Sequence, residues 1–118
     1  MTISAEIFFE EAQKRVEQLY RTQLEPIRKA ADLLAGSLAA GGVVHIFGTG
    51  HSVAFAMELA NRAGGLVPMD VVSLTDLCTR GGEPWSILED PAVERDPQVA
   101  HRVLATHRLE PSDAFIII

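Results

Sequence analysis

Apolar residues recur at helical spacing through the first 40 positions. Phe8, Ala12, Val16 and Leu19 follow one another at intervals of three or four, with charged residues between them, which predicts a helix over about 4–22. The helical pattern then continues with Ile27, Ala30, Ala31, Leu34 and Leu38 and stops at a Gly-Gly pair. Pro26 either begins a second helix or kinks one long helix.

Beyond residue 42 the pattern changes to short apolar runs. Residues 43–47, 66–72 and 114–118 lack clean alternation, as is typical of strands buried on both faces of a parallel sheet. Helices are predicted between these strands over about 52–63 and 96–108. Strands that alternate with helices predict right-handed crossovers and a three-layer α/β/α fold around a parallel sheet. Pro68 places the second strand at an edge of that sheet.

The chain therefore divides into a helical segment, residues 1–40, and an α/β segment, residues 41–118. Two amphipathic segments that precede the first strand need an apolar surface to cover. In so small a domain the first of them has little core of its own to pack against. We expect it to pack against a second subunit, which predicts a homodimer through the N-terminal helices.

Composition limits the partners. The formal charge is −6 without a local Lys/Arg cluster, which argues against nucleic acid as a partner. A small anion remains possible, because backbone N–H groups bind anions without a basic surface. No apolar run reaches the roughly 20 residues of a membrane helix. Residues 1–6 lack the pattern of a signal peptide. Together these features predict a cytoplasmic protein.

The sequence offers no clear metal or cofactor site. Cys78 is the only cysteine, so neither an internal disulfide nor a cysteine-based zinc site is expected. His101 and His107 are six positions apart, a poor helical spacing for a shared metal, and both are expected at the surface. His45 lies in a strand and is expected to be a core histidine with satisfied hydrogen bonds. The remaining candidate ligands, Asp70, Asp76 and Asp90, show no metal-ligand spacing.

The turn after the first strand carries the candidate chemistry. Gly48 and Gly50 allow a sharp bend and a close approach of a ligand to the backbone. The first N–H groups of the following helix, with the positive end of its dipole, favour a phosphate there. Thr49, His51 and Ser52 offer side-chain donors, and Ser52 can alternatively cap the helix. The turn lacks the Lys of a P-loop and the third glycine of a dinucleotide fingerprint.

The surrounding sequence resembles the sugar isomerase (SIS) domain family, especially its small stand-alone members. The likeness is strongest from Gly41 through the turn to Pro68, with Arg62-Ala63-Gly64-Gly65 included, and extends over nearly the whole chain. The resemblance implies a flavodoxin-like parallel sheet and a phosphosugar held at the carboxyl ends of its strands. It also implies that Gly48, Thr49, Gly50, His51 and Ser52 contact that ligand.

The family's pattern also predicts a longer domain. In SIS domains a strand like 113–118 runs into a Ser-x-Ser-Gly turn that supplies much of the phosphate site, and this sequence stops before it. We therefore expect the N-terminal part of an SIS domain, a truncated form with about three strands.

The resemblance favours an aldose–ketose phosphosugar isomerase without a cofactor. The candidate proton-transfer groups are His51, which can instead contact the ligand or the loop, and Glu58, which can instead pair with Arg62. The alternative is a non-catalytic module that senses phosphosugars. A third, weaker interpretation is nucleotide binding by a Rossmann-like turn, with Asp70 about twenty residues beyond Gly50.

Overall fold

One long helix, α1 (Ala5–Ala39), takes the place of the two predicted segments. The computed structural model describes residues 4–60 and 62–118, and in it α1 continues through Pro26. The hydroxyl of Ser4 accepts a hydrogen bond from the N–H of Ile7 at 3.4 Å at the start of the helix. Gly41, with φ +79°, ends it. Of the two alternatives for Pro26, a second helix that begins there is wrong, because one helix runs from Ala5 to Ala39.

The chain separates into two compact units. The first ends at Ala35, and the second runs from Gly36 to Ile118. Within the first unit, α1 buries none of its residues and leaves several large apolar side chains open to solvent. Among the described residues, no helix combines the length and the apolarity that a membrane crossing requires.

The sheet of the second unit contains three parallel strands, β1 (Val44–Phe47), β2 (Met69–Val72) and β3 (Ala114–Ile117). Their order is β2-β1-β3, so β2 forms an edge and the prediction from Pro68 is confirmed. The second strand begins three residues later than predicted. Val67 leaves 93% of its surface exposed, so this end of the apolar run lies outside the sheet.

Within residues 41–60 and 62–118, the sheet is accompanied by the helices α2 (Ser52–Leu59), α3 (Asp76–Thr79) and α4 (Pro97–Leu104). The carboxylate of Asp96 caps α4 by accepting from the N–H of Gln98 at 2.9 Å, and Pro97 occupies the first helical position. Short 3₁₀ turns, Trp85–Glu89 and Val93–Arg95, lie in the stretch between α3 and α4. The predicted end of α2 falls beyond Leu59, and Asn61 lies outside the described residues.

Side chains on the two faces of the sheet alternate along each strand. Val72 belongs to a buried cluster with Leu77 of α3 and with Val99 and Val103 of α4, and Phe47 packs against it. α2 contacts β1 and β2. The α/β architecture with a parallel sheet is confirmed, and the cluster fixes the carboxyl ends of β1 and β2.

Candidate functional site

The turn between β1 and α2 depends on its two glycines. Gly48 is buried, and a Cβ at this position would lie 2.9 Å from the carbonyl carbon and oxygen of Ser52. Gly50 has φ +53°, in the left-handed region that other residues rarely adopt. Any other residue at Gly48 would force the start of α2 away from the strand. The glycines therefore set both the path of the turn and its closeness to the helix.

The free N–H groups of the turn lie earlier than the sequence predicts. The N–H of Ser52 donates to the carbonyl of Thr49 at 3.0 Å, and the N–H of Val53 donates to that of Gly50 at 3.3 Å. The prediction that the first helical N–H groups stay free is therefore wrong for this helix, because a tight first turn uses them. Across residues 4–60 and 62–118, the N–H groups of Thr49, Gly50 and His51 have no hydrogen-bond acceptor.

Two of these donors, the N–H groups of Gly50 and His51, belong to neighbouring residues of opposite backbone hand. Gly50 has a left-handed φ, whereas His51 is right-handed helical with φ −68° and ψ −23°. Successive residues of opposite hand turn their N–H groups toward one point and form an anion-binding nest. The positive end of the α2 dipole adds to this field. The turn is therefore suited to a small anion.

A cleft of about 440 Å³ opens beyond the carboxyl ends of β1 and β2. Gly48, Thr49 and Gly50 form one wall, and hydroxyls of Ser73 and Thr75 lie in the loop after β2. The third wall is the segment 88–94, which includes the acidic residues Glu89, Asp90 and Glu94. The cleft thus has backbone donors on one side and acidic residues on another.

The other predicted site residues lie outside the lining of this cleft. His51 is exposed and its side chain makes no capping bond, while Ser52 is half-buried at the first position of α2. Glu58 is exposed and forms an ion pair with Arg62 on the surface of α2. Of the five predicted binding residues, the structure places Gly48, Thr49 and Gly50 in the cleft wall.

A second polar cluster lies deeper, on the same strands, and was not predicted as a site. His45 on β1 is 3% exposed, and parallel register sets it opposite Asp70 on β2. Its Nδ1 lies 3.1 Å from Oδ2 of Asp70, and its Nε2 lies 3.2 Å from Oδ2 of Asp113. The ring of Phe115 stacks on the imidazole with centroids 4.9 Å apart. The prediction of a satisfied core histidine is confirmed.

His107 completes the cluster from the segment after α4. Its Nδ1 lies 2.9 Å from Oδ2 of Asp70, and its Nε2 lies 3.0 Å from Oδ2 of Asp76. The prediction that His107 lies at the surface is wrong, because its side chain is 1% exposed. Arg80 reaches the cluster from outside, with Nη1 3.1 Å from Nδ1 of His107. We call these six residues the histidine network: His45, Asp70, Asp76, Arg80, His107 and Asp113.

Asp113 is the best-defined anion of the network. Its carboxylate accepts hydrogen bonds from the backbone N–H groups of Val43 at 2.8 Å and Glu110 at 2.7 Å. These two bonds, with a smaller contribution from His45, hold the pKa of Asp113 below its usual value of 3.8. A carboxylate fixed in this way is an acceptor only, so the Nε2 of His45 that faces it must carry a proton.

One feature of the sequence indicated the histidine network. A histidine in a strand otherwise made of apolar residues needs a buried partner, because an unpaired polar group inside a protein is costly. Asp70 is the matching polar residue of the second strand. His107, Asp76 and Asp113 come from three other places in the chain, and their spacing along it gives no indication that they meet.

Comparison with known proteins places the chain in a family. It is 38% identical to a UPF0309 protein of Listeria monocytogenes over 94% of this chain and 42% of that protein. It is 33% identical to a UPF0309 protein of Caldanaerobacter subterraneus over 96% of this chain and 45% of that protein. It is 32% identical to a UPF0309 protein of Streptomyces avermitilis over 97% of this chain and 45% of that protein. The chain thus spans less than half the length of these curated relatives. The family model described as "SIS domain" matches residues 7–118, and the chain belongs to the SIS domain family.

Proposed function

We propose that this chain binds a phosphorylated sugar, with the phosphate at the Gly48–Ser52 turn. The observation that carries the proposal is a set of three N–H groups, of Thr49 and Gly50 in the cleft lining and of His51 beside it, that have no acceptor within the described part of the chain. Hydrogen bonds from backbone N–H groups to an ionised phosphate are charge-assisted and do not require a basic surface. Membership of the SIS family supports the same ligand class.

The distribution of charge in the cleft sets the orientation of the ligand. Glu89, Asp90 and Glu94 would repel a phosphate from the far wall, whereas ionised carboxylates accept hydrogen bonds from sugar hydroxyls. The Gly48–Gly50 wall has N–H donors and no acid. The phosphate therefore points to the turn and the sugar ring to the acidic segment. A sugar phosphate has both an anionic phosphate group and sugar hydroxyls. Inorganic phosphate has only the first, and a free sugar has only the second.

For the chemistry, we propose aldose–ketose isomerisation in which His51 and Glu58 move the proton, with sensing of the sugar phosphate as the second candidate. One observation favours sensing: neither His51 nor Glu58 lines the cleft. An isomerase needs an acid–base group within hydrogen-bond reach of the carbons that exchange a proton. The enzyme proposal therefore requires these side chains to approach the bound sugar.

Calorimetric titration tests the binding proposal. The chain is titrated with a panel of aldose and ketose phosphates, the matching free sugars and inorganic phosphate, and the phosphorylated sugars should bind most tightly. Thr49→Val removes a hydroxyl from the cleft wall and should weaken binding. Thr79→Val removes a hydroxyl outside the cleft lining and should leave binding unchanged. Equal affinity for the free sugars would refute a phosphate anchor.

Measurement of turnover distinguishes an isomerase from a sensing module. Each phosphosugar that binds is incubated with the chain, and conversion is followed by NMR. For an isomerase, His51→Asn and Glu58→Gln should lower kcat by at least 100-fold with little change in binding. Glu58→Gln is a mild structural change, because an exposed ion pair contributes little stability. Tight binding without turnover across the panel would favour the sensing module.

The proposal includes a homodimer formed through α1. Phe8, Val16, Leu19, Tyr20 and Ile27 each expose more than half of their surface. At 3.6 residues per turn they fall within an arc of about 120° on one side of the helix. An antiparallel copy of the same helix offers the same stripe, as a two-fold interface requires. Ion pairs between Lys14 and Glu11 and between Arg21 and Glu17 keep charge along the rest of the helix.

A further inference from the structure

The histidine network lacks two positive charges when its imidazoles are neutral. It contains three carboxylates, Asp70, Asp76 and Asp113, and one guanidinium, that of Arg80. Three negative charges and one positive charge leave a net charge of about −2 in a region where the His side chains are 4% and 1% exposed. A buried charge without compensation is strongly unfavourable. Either two imidazole protons or one divalent cation can restore neutrality.

The ligand atoms favour a transition metal over a hard cation. One ligand atom from each of His45, Asp70 and His107 lies within 4.8 Å of the other two. The Nδ1 atoms of both histidines face the same carboxylate oxygen, Oδ2 of Asp70, at 3.1 and 2.9 Å. Two imidazole nitrogens with one carboxylate oxygen form a set typical of zinc, whereas calcium and magnesium prefer oxygen ligands alone.

The opposite nitrogens of both rings are already oriented. Nε2 of His45 faces Asp113 at 3.2 Å, and Nε2 of His107 faces Asp76 at 3.0 Å. Metal-bound histidines characteristically donate the second ring N–H to a carboxylate, which fixes the tautomer and the ring. Here two such carboxylate–histidine pairs converge on one point. Satisfying the hydrogen bonds of a single buried histidine would not require both carboxylate–histidine pairs.

We propose that His45, Asp70 and His107 bind a divalent transition-metal ion, with zinc as the best fit. Asp113 and Asp76 orient the two imidazoles, and the metal takes the place of the protons on the two Nδ1 atoms. Three protein ligands leave a fourth position for water. The proposal does not depend on the phosphosugar proposal, because it uses none of the residues of the Gly48–Ser52 turn.

Arg80 competes with the metal. Its Nη1 lies 3.1 Å from Nδ1 of His107, and its Nη2 lies 3.6 Å from Oδ1 of Asp70, so the guanidinium occupies the open side of the ligand set. Its side chain is 46% exposed, so its Nη groups can turn toward solvent when a metal enters, while Nε stays beside Oδ1 of Asp76, 3.5 Å away, and the charge remains in the network. Removing this positive charge should therefore tighten metal binding. A purely structural role of the network predicts no such gain.

Metal titration of the chelator-stripped 118-residue chain tests the proposal. Calorimetry with Zn²⁺ should give one site, and Co²⁺ should give the visible bands of a four-coordinate complex. The isosteric Asp70→Asn should lower Zn²⁺ affinity at least 100-fold. Asp76→Asn, which changes an orienting group, should lower it by about 10–100-fold. Arg80→Gln should raise the affinity several-fold. His101→Gln removes an exposed histidine of α4 and should change nothing.

The outcomes that overturn the proposal are distinct. The first is no stoichiometric Zn²⁺ binding by the unmutated chain. The second is a similar loss of binding in His101→Gln, which would locate the metal at surface histidines. Circular dichroism checks the folding of each variant. If Asp70→Asn does not fold, the Co²⁺ spectrum of the unmutated chain and the Zn²⁺ affinity of Arg80→Gln test the proposal instead. A Zn²⁺ affinity unchanged by Arg80→Gln contradicts it.

Discussion

Gly50→Ala isolates the contribution of the turn to ligand binding. Gly50 has φ +53°, and a Cβ built at this position meets no heavy atom within 4 Å. The substitution therefore introduces conformational strain without a steric clash. A left-handed conformation costs an L-residue about 1–2 kcal/mol. For a chain of 118 residues this corresponds to a decrease in Tm of about 4–8 °C.

Gly41→Ala is a matched control. Gly41 has φ +79° and open space around its Cβ position, but it follows α1 and lies outside the cleft. Both variants should lose a similar amount of stability. Only Gly50→Ala should weaken phosphosugar binding, because relaxing the left-handed residue turns the N–H of His51 away from the nest. A hydrogen bond to a charged group contributes about 1.5–3 kcal/mol, so one lost donor should reduce affinity about tenfold or more.

The assay combines thermal melts with calorimetric titration of the best-bound phosphosugar, measured well below both melting temperatures. Equal melting shifts together with a selective loss of affinity in Gly50→Ala would support the nest. Equal affinities in the two variants, each with the expected loss of Tm, would refute the reasoning. The phosphate would then have to bind elsewhere in the cleft.

Three further predictions concern stability and assembly. Leu77→Ala, in the cluster beside β2, should cost about 2–5 kcal/mol in urea unfolding, and a loss below 1 kcal/mol would contradict its placement. Because the folded pKa of Asp113 is lowered, its stabilisation is complete above about 3.8 and disappears as pH falls through the folded value. The stability difference between wild type and Asp113→Asn should therefore shrink from pH 7 to pH 3, and a constant difference would be inconsistent with this. Leu19→Glu should shift the mass measured by light scattering from dimer to monomer, whereas the charge-adding control Gln18→Glu, on the side of α1 away from the apolar stripe, should not.

The local pattern of the sequence predicts much of the fold. Apolar runs at 43–47 and 114–118 are found as β1 and β3 almost to the residue, since buried parallel strands need no alternation to be recognised. The predicted strand boundaries are wrong where backbone hydrogen bonds, and not side-chain polarity, determine where a strand begins. Val67 belongs to the same apolar run as β2 but lies outside the ladder, and no side-chain pattern shows where inter-strand hydrogen bonds begin.

The two candidate sites differ in how far the sequence predicts them. The turn is contiguous, so Gly48 and Gly50 indicate its shape directly, although the free N–H groups prove to be those of 49–51. The contacts of the two histidines in the histidine network join residues 25 to 68 positions apart. Its assembly depends on strand register and on where α4 ends. Neither the strand register nor the end of α4 can be read from the spacing of His101 and His107. For this reason the spacing wrongly predicted that His107 lies at the surface.

The histidine network and the cleft lie on the same strands, but we expect metal binding at the first and phosphosugar binding at the second to be independent. His45 and Asp70 precede Phe47 and Val72 by two positions, so the pairs share a face of the sheet and the apolar pair lies nearer the cleft. At a rise of about 3.3 Å per residue, the separation along each strand is about 7 Å. A divalent metal that replaces two protons leaves the charge of the network unchanged, so it should alter the potential at the Gly48–Ser52 turn very little. Phosphosugar affinity should therefore be nearly equal in metal-loaded and metal-free protein. A large difference would mean that the metal moves the strand ends.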